Sequence, residues 1–499
     1  MRPTIRFIRR GRLVELVDVP PTMLLLDYLR ENEGSTGTKE GCGEGDCGAC
    51  TVSLGRLRNG RLVYEPVNAC IQLLGQVDGA EVVTVEDLVQ TGGALHPVQL
   101  AMVENHASQC GFCTPGFVMA LFSLYQSTSG PVTREEVNDQ IAGNLCRCTG
   151  YRPIVDAAIA ACAEPRRDRF VTGAADMTGV LSFLADGEDV FVGNDERFFA
   201  APGSLDSLAA LYEKHPDATI VAGATDVGLW ITKQLRDLPK IIHVGKVAGF
   251  DRVEDTGHEL IVGAGATYAQ AEAALSRVDP DIGELLRRLG SKQVRASGTV
   301  GGNVANGSPI GDTPPVLIAL DAQMELRKGR QVRTMPVQDF YLEYGKQKRD
   351  RGEFVTRLII PRLRAEHVFR CYKVAKRFDQ DISSVMGAFR LSVNSDGLIT
   401  EARLAYGGMA GVPKRATHAE EALTAQQLRD SRAWARAFAA LREDFMPLDD
   451  HRASARYRME TAHSLLGKAL IEAAGTASNR TRVVGQREKS DKVALNAAR

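Results

Sequence analysis

Eight of the ten cysteines in this 499-residue chain lie between Cys42 and Cys148, in two sets of different spacing. In the first set, four residues separate Cys42 from Cys47 and two separate Cys47 from Cys50, with Cys70 following after a gap. That is the C-x4-C-x2-C…C spacing that holds a 2Fe-2S cluster. A loop wrapping thiolates round a compact anionic cluster must turn sharply and aim backbone N–H groups at sulfur, and Gly41, Gly43, Gly45 and Gly48 permit those conformations. Four thiolates also suit tetrahedral zinc, although zinc ligands usually come as two short C-x-x-C knuckles. In the second set, Cys110 and Cys113 lie just before a helix expected to begin near Pro115, and Cys146 and Cys148 close the segment from Gly143 to Gly150. A helix N-terminus there would favour the negative charge of a thiolate-bound cluster. Taken alone this set leaves zinc open; directly after the first, a second redox cluster is the better reading.

Further along, the stretch from Val221 to Gly228 follows a strand and leads into a helix, so its N–H groups could face a pyrophosphate. A second turn spans Gly298 to Asn303, with Asn306, Ser308 and Asp312 adding hydrogen-bonding groups. Each is weak evidence alone, because glycine turns after strands are commonly plain connections. Neither matches G-x-G-x-x-G, so a Rossmann dinucleotide domain is not supported. No G-x-S-x-G, H-E-x-x-H or Walker A motif occurs, and the nine histidines form no ligand-like cluster. Cys162 and Cys371 stand alone and read as small buried hydrophobes.

The elements that must carry these residues follow from the pattern. Ile5 to Val17 reads as two short strands joined at Gly11, and Val82 to Val85 as another, giving a small β-rich first domain that ends near residue 80. The chain then turns helical. Phe117 to Tyr125 is an apolar helix entered through Pro115, Thr133 and Glu136 resemble a capping box, and Pro153 introduces a helix from Ile154 to Cys162. Residues 163–194 mix charge, glycine and small side chains as a connector does. Strand-like and helix-like segments then alternate up to Pro361, with strands at Thr219 to Ala222 and Leu260 to Val262, and the stretch from His367 to Ala474 reads as strands followed by helices. The polar tail, residues 476–499, is expected to be disordered. Hydrophobic residues make up 44% and charged residues 25%, an ordinary globular balance long enough for about three or four domains. A formal net charge of −1 gives no electrostatic reason to expect nucleic acid or an anionic membrane as partner. No apolar run is long enough to span a membrane and no secretory signal pattern is present, so a cytoplasmic location is expected.

At this point the motifs become recognisable. The segments from Gly37 to Val52, Gln109 to Ala120 and Gly143 to Ile154 closely resemble the iron-sulfur motifs of the xanthine dehydrogenase family of molybdenum hydroxylases, in the same order. The segments beginning at Val221 and Thr299 resemble its two FAD loops, and the one beginning at Lys373 resembles the start of its flavoprotein C-terminal domain. The resemblance implies a multidomain α+β chain. It would comprise a β-grasp plant-type 2Fe-2S ferredoxin domain (1–80), an all-α 2Fe-2S domain (81–165), a linker (166–195), an α/β FAD-binding domain of the non-Rossmann type (196–366), and an α+β CO dehydrogenase flavoprotein-like C-terminal domain (367–475).

By the same resemblance Cys42, Cys47, Cys50 and Cys70 hold one cluster, and Cys110, Cys113, Cys146 and Cys148 the other. FAD would rest on Val221, Ala222, Gly223, Ala224, Thr225, Asp226, Val227 and Gly228, on Thr299, Val300, Gly301, Gly302 and Asn303, and on Asp312, Val355 and Lys373. Lys373 would tune the flavin by stabilising negative charge on its reduced ring. The chain departs from some relatives at Leu289, where they place an aromatic residue against the flavin, and at Asn306, where they have threonine. The family's molybdopterin-binding region is larger than everything in this chain, so it would come from a large partner subunit, in a dimer of heterodimers. Electrons would pass from molybdenum there, through the helical-domain cluster and then the ferredoxin-domain cluster, to FAD and on to NAD, during oxidation of hypoxanthine and xanthine to urate. No side-chain nucleophile is expected here. The alternatives are the same subunit of another molybdenum hydroxylase, a free-standing NADH-to-acceptor reductase, and a zinc-stabilised assembly module.

Overall fold

The computed structural model describes residues 1–475, and the tail expected to be disordered lies outside them. The chain begins with a five-stranded mixed sheet in the order Arg12–Leu16, Ile5–Arg9, Glu81–Val83, Thr51–Arg58, Arg61–Asn68. Ile5–Arg9 runs parallel to Glu81–Val83 and antiparallel to Arg12–Leu16. Its side chains alternate, as strand geometry requires. Ile5 and Phe7 point into the domain core, while Ile8 packs under Leu181 and Leu184. Those two leucines belong to helix Ala174–Leu184, a structured element inside what reads in sequence as a plain connector. The helix forms because the outer face of the sheet needs an apolar cover.

Four helices follow: Pro97–Glu104, Thr114–Ser127, Arg134–Ile141 and Arg152–Ala161. Their starts obey local chemistry. The Thr133 hydroxyl accepts from the Glu136 N–H at 3.2 Å and the Glu136 carboxylate accepts from the Thr133 N–H at 2.7 Å, a reciprocal cap of the kind that contributes about 1 kcal/mol. Phe117, Val118, Met119, Leu121 and Phe122 of the second helix form the centre of this domain's core.

Next comes a four-stranded sheet, Val190–Gly193, Phe198–Ala201, Lys240–His243, Thr219–Val221, whose last three strands are parallel. Val190–Gly193, within the stretch read as connector, is its edge strand. A five-stranded antiparallel sheet packs beside it, in the order Val253–Asp255, Glu259–Gly263, Phe354–Pro361, Gln323–Lys328, Gln331–Pro336. The last of the described residues form a four-stranded antiparallel sheet led by His367–Val374, Val385–Val393 and Ile399–Gly407, covered by helices Thr417–Leu423, Ser431–Asp444 and Ala455–Ala473. Phe199, Val221 and Ile241 share one apolar cluster with Leu25, Val52 and Leu73, so the first domain docks on the parallel sheet through a common core. Among the described residues no helix is long and apolar enough to cross a membrane.

Candidate redox centres

The first cysteine loop lies between the sheet strands and the parallel-sheet domain. Cys50 and Cys70 are buried, Cys42 and Cys47 partly so. Thiol contacts link Cys42 to Cys47 and to Cys70, and Cys70 to Cys50. The Cys42 sulfur also accepts the backbone N–H groups of Glu44 and Cys47, both at 3.4 Å. Hydrogen bonds from the Cys47 and Cys70 thiols and from these amides lower the Cys42 pKa, while the same contacts raise those of Cys47 and Cys70. Four cysteine sulfurs linked by such contacts supply the donor set an iron-sulfur cluster needs. The glycines are required here: a Cβ at Gly41 would lie 2.8 Å from the Cys47 sulfur, and Gly48, at φ +68°, has the Gly143 carbonyl 2.2 Å from where its Cβ would be.

In the second set Cys113 contacts Cys146, and Cys110 contacts Cys148. Cys113 is the N-cap of helix Thr114–Ser127, as its spacing from Pro115 predicts. Burial, with the Cys146 contact, pushes the Cys113 thiol up to about 12. Burial alone would raise Cys146 too, but hydrogen bonds from the Thr149 hydroxyl and from the Thr149 and Cys148 amides outweigh it and bring Cys146 down to about 7. Cys110 and Cys148 are exposed, so this set faces outward. Among the described residues, no three or more His, Cys, Asp or Glu side chains are arranged to hold a single metal ion. In this second set the sulfurs instead meet in pairs, Cys113 with Cys146 and Cys110 with Cys148.

The two loops touch. The Leu145 N–H, adjacent to Cys146, donates to the Cys47 carbonyl at 2.9 Å. On the other side of the first loop, Ile71, next to Cys70, packs against Gly228, where a Cβ would lie 2.8 Å from the Ile71 side chain. Lys233 donates to the Cys42 carbonyl.

Gly228 closes the first predicted flavin loop, which leaves strand Thr219–Val221 and enters helix Val227–Thr232. Ala224 takes a positive φ of 58° within it. The second glycine segment differs from its sequence reading as a turn: Val300 to Asn306 is helical, because the Thr299 hydroxyl caps it by accepting the Gly302 N–H at 3.0 Å. The two loops cross so closely that a Cβ on Gly223 would sit 2.0 Å from the Ser297 carbonyl oxygen. The Asn303 Oδ1 is buried with no hydrogen-bond partner, a polar atom left for a ligand at the helix N-terminus. Asp312 and Lys373 are brought together at 2.6 Å, and Val355 is buried on strand Phe354–Pro361, paired with Leu326. Leu289 packs half-buried on the core of this region, while Asn306 is exposed at the helix end. These residues fit a flavin dinucleotide.

A cavity of about 240 Å³ lies where the first domain meets these loops; Ala222, Gly223 and Thr299 line it together with Arg56, Lys246 and His243. Sequence reasoning missed the residues that knit the domains, among them Gln76, whose Nε2 donates to the Ala222 carbonyl at 2.7 Å. A lone glutamine has no spacing or period by which to be found.

The comparisons with known proteins accord with this geometry. Residues 7–71 match the 2Fe-2S iron-sulfur cluster binding domain, and 84–159 a second 2Fe-2S binding domain. Residues 194–363 match the FAD binding domain in molybdopterin dehydrogenase, and 370–473 the CO dehydrogenase flavoprotein C-terminal domain. The xanthine dehydrogenase of Emericella nidulans is 30% identical over 500 residues, covering 89% of this chain and 36% of that protein. Xanthine dehydrogenase 1 of Arabidopsis thaliana is 30% identical over 475 residues, covering 80% of this chain and 34% of that protein. The chain thus spans about a third of the length of the curated relatives it matches. Among solved structures, reconstituted CO dehydrogenase from Oligotropha carboxidovorans aligns with TM-score 0.53 and 25% identity, over 57% of this chain and 99% of that one. The zinc-module alternative falls to the two 2Fe-2S domain matches. With two 2Fe-2S domains, an FAD-binding domain and a flavoprotein C-terminal domain in succession, the chain belongs to the molybdenum hydroxylase family and carries its iron-sulfur and flavin modules.

Proposed function

We propose that this chain is the electron-transfer subunit of a xanthine dehydrogenase, which takes electrons from a molybdenum cofactor in a larger partner subunit and delivers them to NAD as hypoxanthine and xanthine are oxidised to urate. In this reading Cys110, Cys113, Cys146 and Cys148 hold the receiving cluster, and Cys42, Cys47, Cys50 and Cys70 the relaying one. The segments 221–228 and 299–303, with Asp312, Val355 and Lys373, hold FAD. The clusters supply one-electron steps and the flavin joins them into the two-electron reduction that NAD requires.

The protein's own part is positional: its thiolates fix the centres, its amides set the charge on sulfur, and its packing keeps water from the relay. The observation that carries the reading is an unbroken run of contacts, from Cys146 through the Leu145 N–H to the Cys47 carbonyl, and from Cys70 through Ile71 to Gly228. The outer end supports docking of a partner, since Phe112 and Leu145, beside the exposed cysteines, are 49% and 47% exposed. A cytoplasmic dimer of heterodimers is the assembly that goes with this role.

Similarity to CO dehydrogenase favours a second reading, the same role in a hydroxylase of another substrate. Purification with the native partner tests both. About four irons and four sulfides per FAD are expected, with xanthine-dependent NAD reduction. Molybdenum and clusters without xanthine activity would leave only the second reading, and activity of the isolated chain with no molybdenum partner would favour a free-standing reductase.

A further inference from the structure

Three domains meet at one buried point between the two cysteine sets. Thr51 and Gly48 come from the first domain, Asn144 from the helical domain, and Gln293 from helix Lys292–Ser297, which runs into Gly298 and the Thr299 cap of the second flavin segment. Thr51, Asn144 and Gln293 are 1%, 2% and 1% exposed. Their hydrogen bonds permit one orientation only. Asn144 Nδ2 lies 3.0 Å from the Gly48 carbonyl oxygen, which can only accept, so the Asn144 amide must present its NH₂ there and its Oδ1 to Gln293. Gln293 must in turn present its own NH₂, and Nε2 donates to Asn144 Oδ1 at 2.9 Å and to Thr51 Oγ1 at 3.1 Å. The Thr51 hydroxyl gives its proton to the same Gly48 carbonyl at 2.7 Å, closing the ring.

Gln293 thereby commits both N–H groups to other domains, and its Oε1 is left buried without a partner. That oxygen faces Gly143, where a Cβ would lie 2.3 Å from it. A buried unpaired amide oxygen is unfavourable, so the ring is held against a local cost. It also has no slack: a Cβ on Gly116 would lie 2.1 Å from the Gly48 oxygen. What the ring fixes is the contact between clusters. Thr51 follows Cys50, and Asn144 precedes Leu145, whose N–H reaches the Cys47 carbonyl.

We infer that Gln293 is a positioning residue that clamps the two cysteine loops at a fixed separation and ties them to the second flavin segment. The inference rests on the cluster assignment proposed above. Electron transfer weakens steeply as a gap opens, and a covalent and hydrogen-bonded route is a far better path than an open gap. The Cys146, Leu145, Cys47 link stays closed only while Asn144 is held on Gly48, and Gln293 holds it there.

The test uses the full chain with its clusters. Gln293→Met keeps length and bulk but donates nothing. Iron and sulfide should stay at the wild-type level, amide hydrogen exchange across residues 143–147 should quicken at least tenfold, and the magnetic interaction between the two reduced clusters, seen by electron paramagnetic resonance after dithionite, should shrink. Wild-type exchange and wild-type interaction in this variant would overturn the clamp. If Gln293→Met does not fold, Thr51→Val, which removes both the acceptor for one Gln293 N–H and the hydroxyl's own bond to Gly48, decides by the same two measurements: a smaller change of the same sign supports the clamp and no change overturns it. Iron missing from the unmodified protein would sink the cluster assignment and the clamp with it, whereas altered exchange and coupling with iron retained bear on the clamp alone.

Discussion

Lys373 lies on strand His367–Val374, its side chain 2% exposed, and its ammonium sits 2.6 Å from the carboxylate of Asp312, 7% exposed. It also donates to the Arg288 carbonyl at 3.3 Å, while the other Asp312 oxygen accepts the Ser383 hydroxyl at 2.5 Å. A lysine so placed has its charge engaged by a carboxylate, which bears on its proposed action on the flavin ring. Replacing Lys373 by Met leaves Asp312 buried with only Ser383 to solvate it, and removing one partner of a buried ion pair costs about 3–5 kcal/mol. Because Ser383 remains, the lower end applies, about 3 kcal/mol of lost stability. Adding Asp312→Asn removes the stranded charge, so the double variant should recover about half of that loss or more. Urea unfolding followed through Trp230 and Trp434, one in the FAD region and one in the C-terminal domain, reports both sides of the pair. Flavin content and its reduction by NADH are read on the same samples. If Lys373→Met unfolds within about 0.5 kcal/mol of wild type while flavin reduction changes, the ammonium acts on the flavin and the ion-pair reasoning is wrong.

Cys146→Ser should lower iron from about four to about two per chain, one 2Fe-2S cluster, with the other cluster's absorption retained; full retention of iron would contradict the ligand assignment. Gly223→Ala places a methyl 2.0 Å from a backbone oxygen; overpacking of this kind costs about 1–3 kcal/mol, and FAD content should fall by at least half while iron is unchanged. His243 is held down to about 4 by burial, with Arg56 adding to the effect. Its unfolded value is about 6.5, so below that pH the unfolded chain takes up a proton that the native chain refuses. The stability contribution is complete above pH 6.5 and is lost as the pH falls toward 4, about 2 kcal/mol after allowing for the ring's intermediate solvent exposure. His243→Asn should flatten that limb of a urea-midpoint profile, and an unchanged slope would show that other groups produce it.

Local chemistry was legible in the sequence wherever the signal is itself local. The spacing of Cys42, Cys47 and Cys50, the glycines among them, the Thr133 and Glu136 cap and the prolines at helix starts act within a few residues, so their meaning survives without the fold. Other elements stayed hidden because their reason for forming lies elsewhere. Hairpin Thr51–Arg58 and Arg61–Asn68 puts Arg56 and Arg58 beside the cavity between domains, and Arg58 is neutralised by Glu65 across the strands at 2.9 Å. Helix Ala174–Leu184, interrupted by Gly179, is a helix because Leu181 and Leu184 find Ile8. The segment 299–303 reads as a turn until the Thr299 cap makes it a helix start. By itself the sequence picked out the eight cysteines as candidate iron ligands and the two glycine segments as the candidate flavin site. Only the tertiary structure decided that Lys373 meets Asp312, 61 residues away, and that Gln293 meets Asn144, 149 residues away, because a contact made through space between single polar side chains leaves no period or spacing in the chain.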